Sequence, residues 1–205
     1  MIDDQSIFEP AMLFAGNDRP DNTLRQLSRW VKAGKLLQVR RGLYAVAPPY
    51  NKIRHHSFAV AGRLTWPSYV SLQSALVWHG LIPEDVPVIT SVTTRRPGFH
   101  NTPLGSFQFR HVKTELFWGY RETRFENGQI AYVADPEKAL LDLCYLTPGG
   151  DSMDYIRGLR IDPDGIVDPD RLLIFSEKCG SAKLDRFTSR FIVWLKRERA
   201  EGRST

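Results

Sequence analysis

Arg25, Gln26 and Arg29 carry groups that read base edges in a DNA duplex: a guanidinium suits guanine and a carboxamide suits adenine. At 3.6 residues per turn, Asn22, Arg25, Gln26 and Arg29 fall on one side of a helix, with Lys32 beside them. With Thr23 at the helix start, Asn22, Arg25, Gln26 and Arg29 form the expected base-reading set. Lys32, Lys35, Arg40 and Arg41 follow as expected phosphate contacts, which set register and raise affinity without reading sequence. Between Arg19 and Arg54 the only acid is Asp21.

Other reactive residue types do not assemble into a recognisable site. Asp135, Glu137 and Lys138 are the elements of a metal-dependent nuclease cluster. That chemistry needs the acids and the lysine on strands aimed at one metal, and here all three fall at a helix start. Asp135 is expected to cap that helix, and Asp142 to sit solvated off its apolar stripe. The adjacent His55 and His56, read as helical, point about a hundred degrees apart and cannot share a metal. His79 reads as a packed or capping residue, His100 as part of a Pro97–Pro103 loop and His111 as part of a strand. Cys144 reads as a buried thiol, and neither it nor Cys179 has zinc-ligand or disulfide spacing. No phosphate-cradling loop, dinucleotide fingerprint or G-x-S-x-G elbow occurs. No enzyme activity, metal or cofactor is therefore expected.

The elements that must position the basic residues are legible around them. Leu24, Leu27, Ser28 and Val31 form the opposite, packing side of the helix. Asp21 or Asn22 can cap its start and Gly34 its end. The β-prone runs Leu36–Val39 and Leu43–Val46 flank Arg40-Arg41-Gly42. An amphipathic helix, a glycine stop and a basic two-stranded ribbon are the back half of a winged helix-turn-helix, whose helix enters the major groove while the wing touches phosphate. Ile7–Ala15 reads as a short helix packing Phe8, Met12 and Leu13 against it, with a turn at Gly16–Pro20. A further helix normally precedes these, and its source is open.

With 205 residues, a net charge of +5 and a pI near 9.3, the chain has length for one large domain or two small ones and a mild bias toward nucleic acid. It shows no basic leader and no run of some eighteen apolar residues, so a soluble, cytoplasmic protein without membrane contact is expected. Pro48-Pro49 marks a boundary between a domain at 1–50 and one at 53–200. In the second part, helices are expected at Ile53–Leu64 and Ser71–His79. An antiparallel sheet of about four strands should span 86–134: Val86–Thr94, one centred on Phe107–His111, one alternating through Leu116, Trp118 and Tyr120, and an Asn127-Gly128 type I′ hairpin. Further helices are expected at Pro136–Leu146, Met153–Leu159, Pro169–Cys179 and Ala182–Arg199, the last packing Leu184, Phe187, Phe191 and Leu195. The fold class is α+β.

The order of TLRQLSRWVKAGKL, QVRRGLYAV, YVSLQSALVWHGL, SVTT and YVADPEKALLDLCY resembles the AbiEi-type antitoxins of type IV toxin–antitoxin systems, over most of residues 20–146. The resemblance implies an N-terminal winged helix that represses its own operon by binding its operator in double-stranded DNA. It also implies a C-terminal α/β domain that opposes a nucleotidyltransferase-like toxin encoded next door, without a stable complex. The alternative is a stand-alone winged-helix regulator whose C-terminal domain dimerises or senses a ligand.

Overall fold

A computed structural model describes residues 7–13, 20–51, 54–83 and 86–202. Within the N-terminal stretch, strand β1 (Ile7–Phe8) leads into a 3₁₀ turn at Pro10–Leu13. Helix α1 (Pro20–Lys32) and strands β2 (Leu36–Arg40) and β3 (Leu43–Val46) follow. Among the described residues the three strands form one sheet in the order β1-β3-β2. The expected helix over Ile7–Ala15 is thus a strand and a single 3₁₀ turn. Its last two residues, and most of the turn expected at Gly16–Pro20, lie outside the described residues, as does Ile53.

The small sheet is apolar on both faces. Leu36 and Tyr44 pack with Leu27 of α1, joined by Phe8, Leu13 and Val46. Ile7, Val39, Leu43 and Ala45 face the other way and belong to the core that continues through the rest of the chain. A strand buried on both sides loses strict alternation, and LYAV in β3 shows this, with three consecutive buried residues.

Helix α2 (Ser57–Leu64) begins with His56 as its cap, so the histidine pair precedes the helix instead of lying on it. Phe58 N–H donates to His56 Nδ1 at 3.2 Å, and the imidazole stacks on Phe125 at 3.5 Å. Burial holds the His56 pKa below its ordinary 6.5. A base with a lowered folded-state pKa binds fewer protons folded than unfolded, so stability rises with pH across that window. Stability should therefore fall as pH drops through 6.5 toward the lowered folded-state pKa, because the unfolded chain takes up a proton that the buried imidazole does not. Urea titrations should show this slope reduced in His56→Asn, which keeps a capping acceptor that does not titrate.

Among the described residues the second sheet has six strands and is mixed, against the expected four antiparallel ones. Its strands are β4 (Ser68–Val70), β5 (Val88–Thr93), β6 (Gly98–Thr102), β7 (Gly105–His111), β8 (Tyr120–Arg124) and β9 (Ile130–Ala134), in the order β6-β7-β5-β4-β9-β8. The pairs β5·β7 and β4·β9 are parallel and the others antiparallel. His100 lies on β6, where a loop was expected. The expected strand through Leu116 and Trp118 is instead a 3₁₀ turn at Thr114–Leu116, and pairing begins only at Tyr120. The hairpin at Asn127-Gly128 is present, with a different turn. Gly128 N–H bonds Phe125 O, and only Gly128 has positive φ, +79°. That is a type I turn closed by a left-handed glycine, not type I′.

Helix α3 (Leu72–Trp78) runs between β4 and β5, burying Leu72, Ala75 and Leu76. Its end is tied by Leu81 N–H to Leu76 O at 2.8 Å, and Leu81 is buried. Helix α4 (Pro136–Leu146) packs against α3 and against α6 (Pro169–Cys179) and α7 (Ala182–Gly202), while α5 (Met153–Gly158) lies on α7. Asp168 caps α6 by accepting from Asp170 and Arg171, and Gly180 closes it in the left-handed conformation. The α7 stripe of Leu184, Phe187, Phe191 and Leu195 is fully buried, as its spacing required. Among the described residues, no helix is long and apolar enough to cross a membrane.

Candidate nucleic-acid interface

Helix α1 is held by very little. Among its described residues only Leu27 is buried, and Val31 is partly covered. Leu24 and Ser28, assigned to the packing side, are exposed, Leu24 at 43%. The packed stripe is therefore narrower than expected, and the helix stands on its small sheet with most of its circumference free. Its C-terminus is built as the glycine requires. Gly34 sits at φ +68°, Gly34 N–H bonds Val31 O at 3.0 Å and Lys35 N–H bonds Trp30 O at 2.9 Å. This is the paired Schellman arrangement, and it turns the chain straight into β2 with Lys35 at the corner.

On the free side Asn22, Arg25 and Arg29 are exposed, with Lys32 next to them. They lie opposite Leu27 and Val31 on the wheel, so docking of the helix and presentation of the guanidinium groups are one geometric fact. Gln26 is half-buried. Thr23 is half-buried and already engaged in a contact, and it lies within about 40° of Leu27 at 100° per residue. Thr23 flanks the packed side, and the outward ridge consists of Asn22, Arg25 and Arg29.

The β2–β3 turn contributes unequally. Arg41 in the turn is exposed, as is Lys35 at the corner before β2. Arg40 is partly spoken for: Nη2 lies 3.5 Å from Glu9 Oε1, and Nη1 donates to Arg41 O at 3.1 Å. A phosphate would have to compete with Glu9 for Arg40, whereas among the described residues Lys32, Lys35 and Arg41 form no ion pair.

Leu27→Ala should cost about 2–5 kcal/mol through the cavity it leaves, and the loss should be local to α1. Amide hydrogen exchange should show residues 21–32 losing protection while α4 and α7 keep theirs.

The second charged cluster sits far inside. Lys138 and Asp142, one turn apart on α4, are 1% and 3% exposed and form an ion pair. Lys138 Nζ also donates to Tyr69 Oη at 2.8 Å. Tyr69 Oη and Ser71 Oγ in turn donate to Asp142 Oδ2 at 2.9 and 2.8 Å. Burial pushes the Asp142 carboxyl up, opposed by the Lys138 charge, and burial beside Asp142 holds the Tyr69 hydroxyl well above 10. Asp142 is thus the hub of a buried network, not the solvated residue expected.

Asp135 does not cap α4 with its side chain. It pairs with Arg121 at 2.7 Å and with Arg171. Glu137 Oε1 accepts from Asp168 N–H at 3.0 Å, fastening α4 to the start of α6. Asp135 and Glu137 share Arg171, whose Nη1 lies 3.5 Å from Glu137 Oε2, while Lys138 turns to Asp142 and Tyr69, so the three do not converge on one point. The signal for this was in the composition of α4: residues 136–144 are all buried, and a helix apolar around its circumference takes its charged residues inside with it.

The basic side of α7 holds its own surroundings. Arg186 pairs with Asp151 at 2.9 Å, Arg190 donates to Asp151 O at 2.6 Å and Lys183 donates to Thr147 O at 2.5 Å. Compared with known families and characterised proteins, the chain matches no family model and no curated sequence.

Proposed function

We propose that the protein binds double-stranded DNA sequence-specifically through α1 and the β2–β3 turn, used as a winged helix-turn-helix, and that it acts in the cytoplasm as an autorepressing antitoxin. One observation carries the DNA reading. Helix α1 docks through Leu27 alone among its buried residues, which leaves Asn22, Arg25 and Arg29 outward beside Lys32, Lys35 and Arg41. Along residues 20–51, Asp21 is the only acid that would meet a phosphate backbone. Asn22, Arg25 and Arg29 would read bases from that ridge, the half-buried Gln26 and Thr23 from its edges, and Lys32, Lys35, Arg41 and the shared Arg40 would take phosphates.

The antitoxin part rests on the ordered resemblance over residues 20–146. It leads to a test by co-expression with the product of the adjacent gene, which this reading requires to be a nucleotidyltransferase-like protein. Growth rescue without a co-purifying complex supports the antitoxin. No rescue, together with retained binding to the DNA upstream of its own gene in a mobility-shift titration, leaves the stand-alone regulator. A cavity between β1, α2 and β9 favours that second reading, because a regulator that senses a small molecule needs such a site.

A further inference from the structure

Among the described residues, a cavity of about 660 Å³ opens where the N-terminal sheet meets α2 and β9. That volume is in the range that encloses small organic ligands. Its walls differ in character. Trp66, 64% exposed, and Tyr132 stand with ring centroids 5.8 Å apart and make an aromatic wall. Arg63 supplies the positive charge, and among the described residues a hydrogen bond from Nη2 to Ile7 O at 3.2 Å occupies one of its five N–H donors. The lining acid, Glu9, already faces Arg40, and burial lowers the His55 pKa and so favours its neutral form.

Gly62 lies between these walls in the interior of α2, where glycine costs helix stability relative to alanine. Its backbone does not call for glycine: its φ is not in the left-handed region, and an added Cβ would meet nothing within 4 Å. What a side chain there would do is project into the cavity it lines.

We infer that this cavity binds a small aromatic acid, its ring against Trp66 and Tyr132 and its carboxylate on Arg63, in space that Gly62 keeps open. A planar carboxylate matches the two-pronged guanidinium, and an aromatic body matches the exposed indole. The inference does not depend on DNA binding.

Isothermal titration calorimetry with indole-3-acetate tests it, with indole as the uncharged aromatic and hexanoate as the acid without a ring. The expected result is saturable one-to-one binding of indole-3-acetate, at least ten-fold tighter than either control. Arg63→Gln should weaken it ten-fold or more. Because Arg63 also holds Ile7, Gly62→Leu provides the independent variant: it should abolish binding with the melting temperature unchanged or raised. No saturable binding, equal binding of indole or hexanoate, or binding retained in Gly62→Leu would overturn the assignment.

Discussion

Lys138→Ala is expected to destabilise the fold by about 3–5 kcal/mol, because it leaves a buried carboxylate without its counter-charge. Asp142 would keep the hydroxyls of Tyr69 and Ser71, but two neutral donors do not replace an ammonium group in direct contact. The loss should depend on pH in a definite sense. Burial already raises the Asp142 pKa, and removing Lys138 raises it further. A carboxyl whose folded-state pKa lies above its unfolded value binds more protons when folded, so stability grows as pH falls through that window. The variant should therefore be closest to wild type at low pH and furthest from it at neutral pH, as read by urea denaturation. Replacing both charges, as in Lys138→Met with Asp142→Leu, should recover much of the loss. The Tyr69 and Ser71 hydroxyls then both lose their acceptor, at a cost of about 1–3 kcal/mol each, so the recovery is partial.

Arg25→Ala and Arg29→Ala should each weaken binding to a preferred duplex by about 1–3 kcal/mol and relax the preference at one base pair. The effect is specific because both side chains stand exposed on the outward ridge, away from the packed side of the helix. Lys32→Ala, Lys35→Ala and Arg41→Ala should behave differently. They should weaken binding to every sequence alike, each flattening the dependence of log K on log salt by about 0.9. Arg40→Ala should do less, since Glu9 already neutralises part of that charge. The two patterns separate base reading from phosphate contact.

How much of this could be read from the chain depends on how local each cause is. Helix α1, its Gly34 stop, the ribbon after it, and α6 with Asp168 and Gly180 at its ends are set by neighbours in sequence, and they stand where the spacing placed them. Strand β4 has three residues, too few for a period to show. Strand β6, GFHNT, has little β-branched character and exists because β7 pairs with it across a tight turn. The parallel pairings β5·β7 and β4·β9 join distant segments, and no local pattern encodes them. Asp142 was misread for a related reason. Its polarity suggested solvent, while the apolar circumference of α4 had already placed it in the core. In the candidate interface, exposure of Arg25 and Arg29 followed from the helical period. The engagement of Arg40 by Glu9 and the half-buried position of Thr23 depend on the three-dimensional packing around them.

The most direct test is fluorescence anisotropy on a labelled duplex from the region upstream of the gene, comparing two double variants. Arg25→Ala with Arg29→Ala removes charge from α1, and Arg186→Ala with Arg190→Ala removes the same charge from α7. Unchanged circular dichroism would show that both remain folded. The account predicts a loss of about 2–6 kcal/mol in the first, from roughly thirty-fold upward, and little change in the second. Equal losses in both, or a loss confined to the α7 variant, would contradict it.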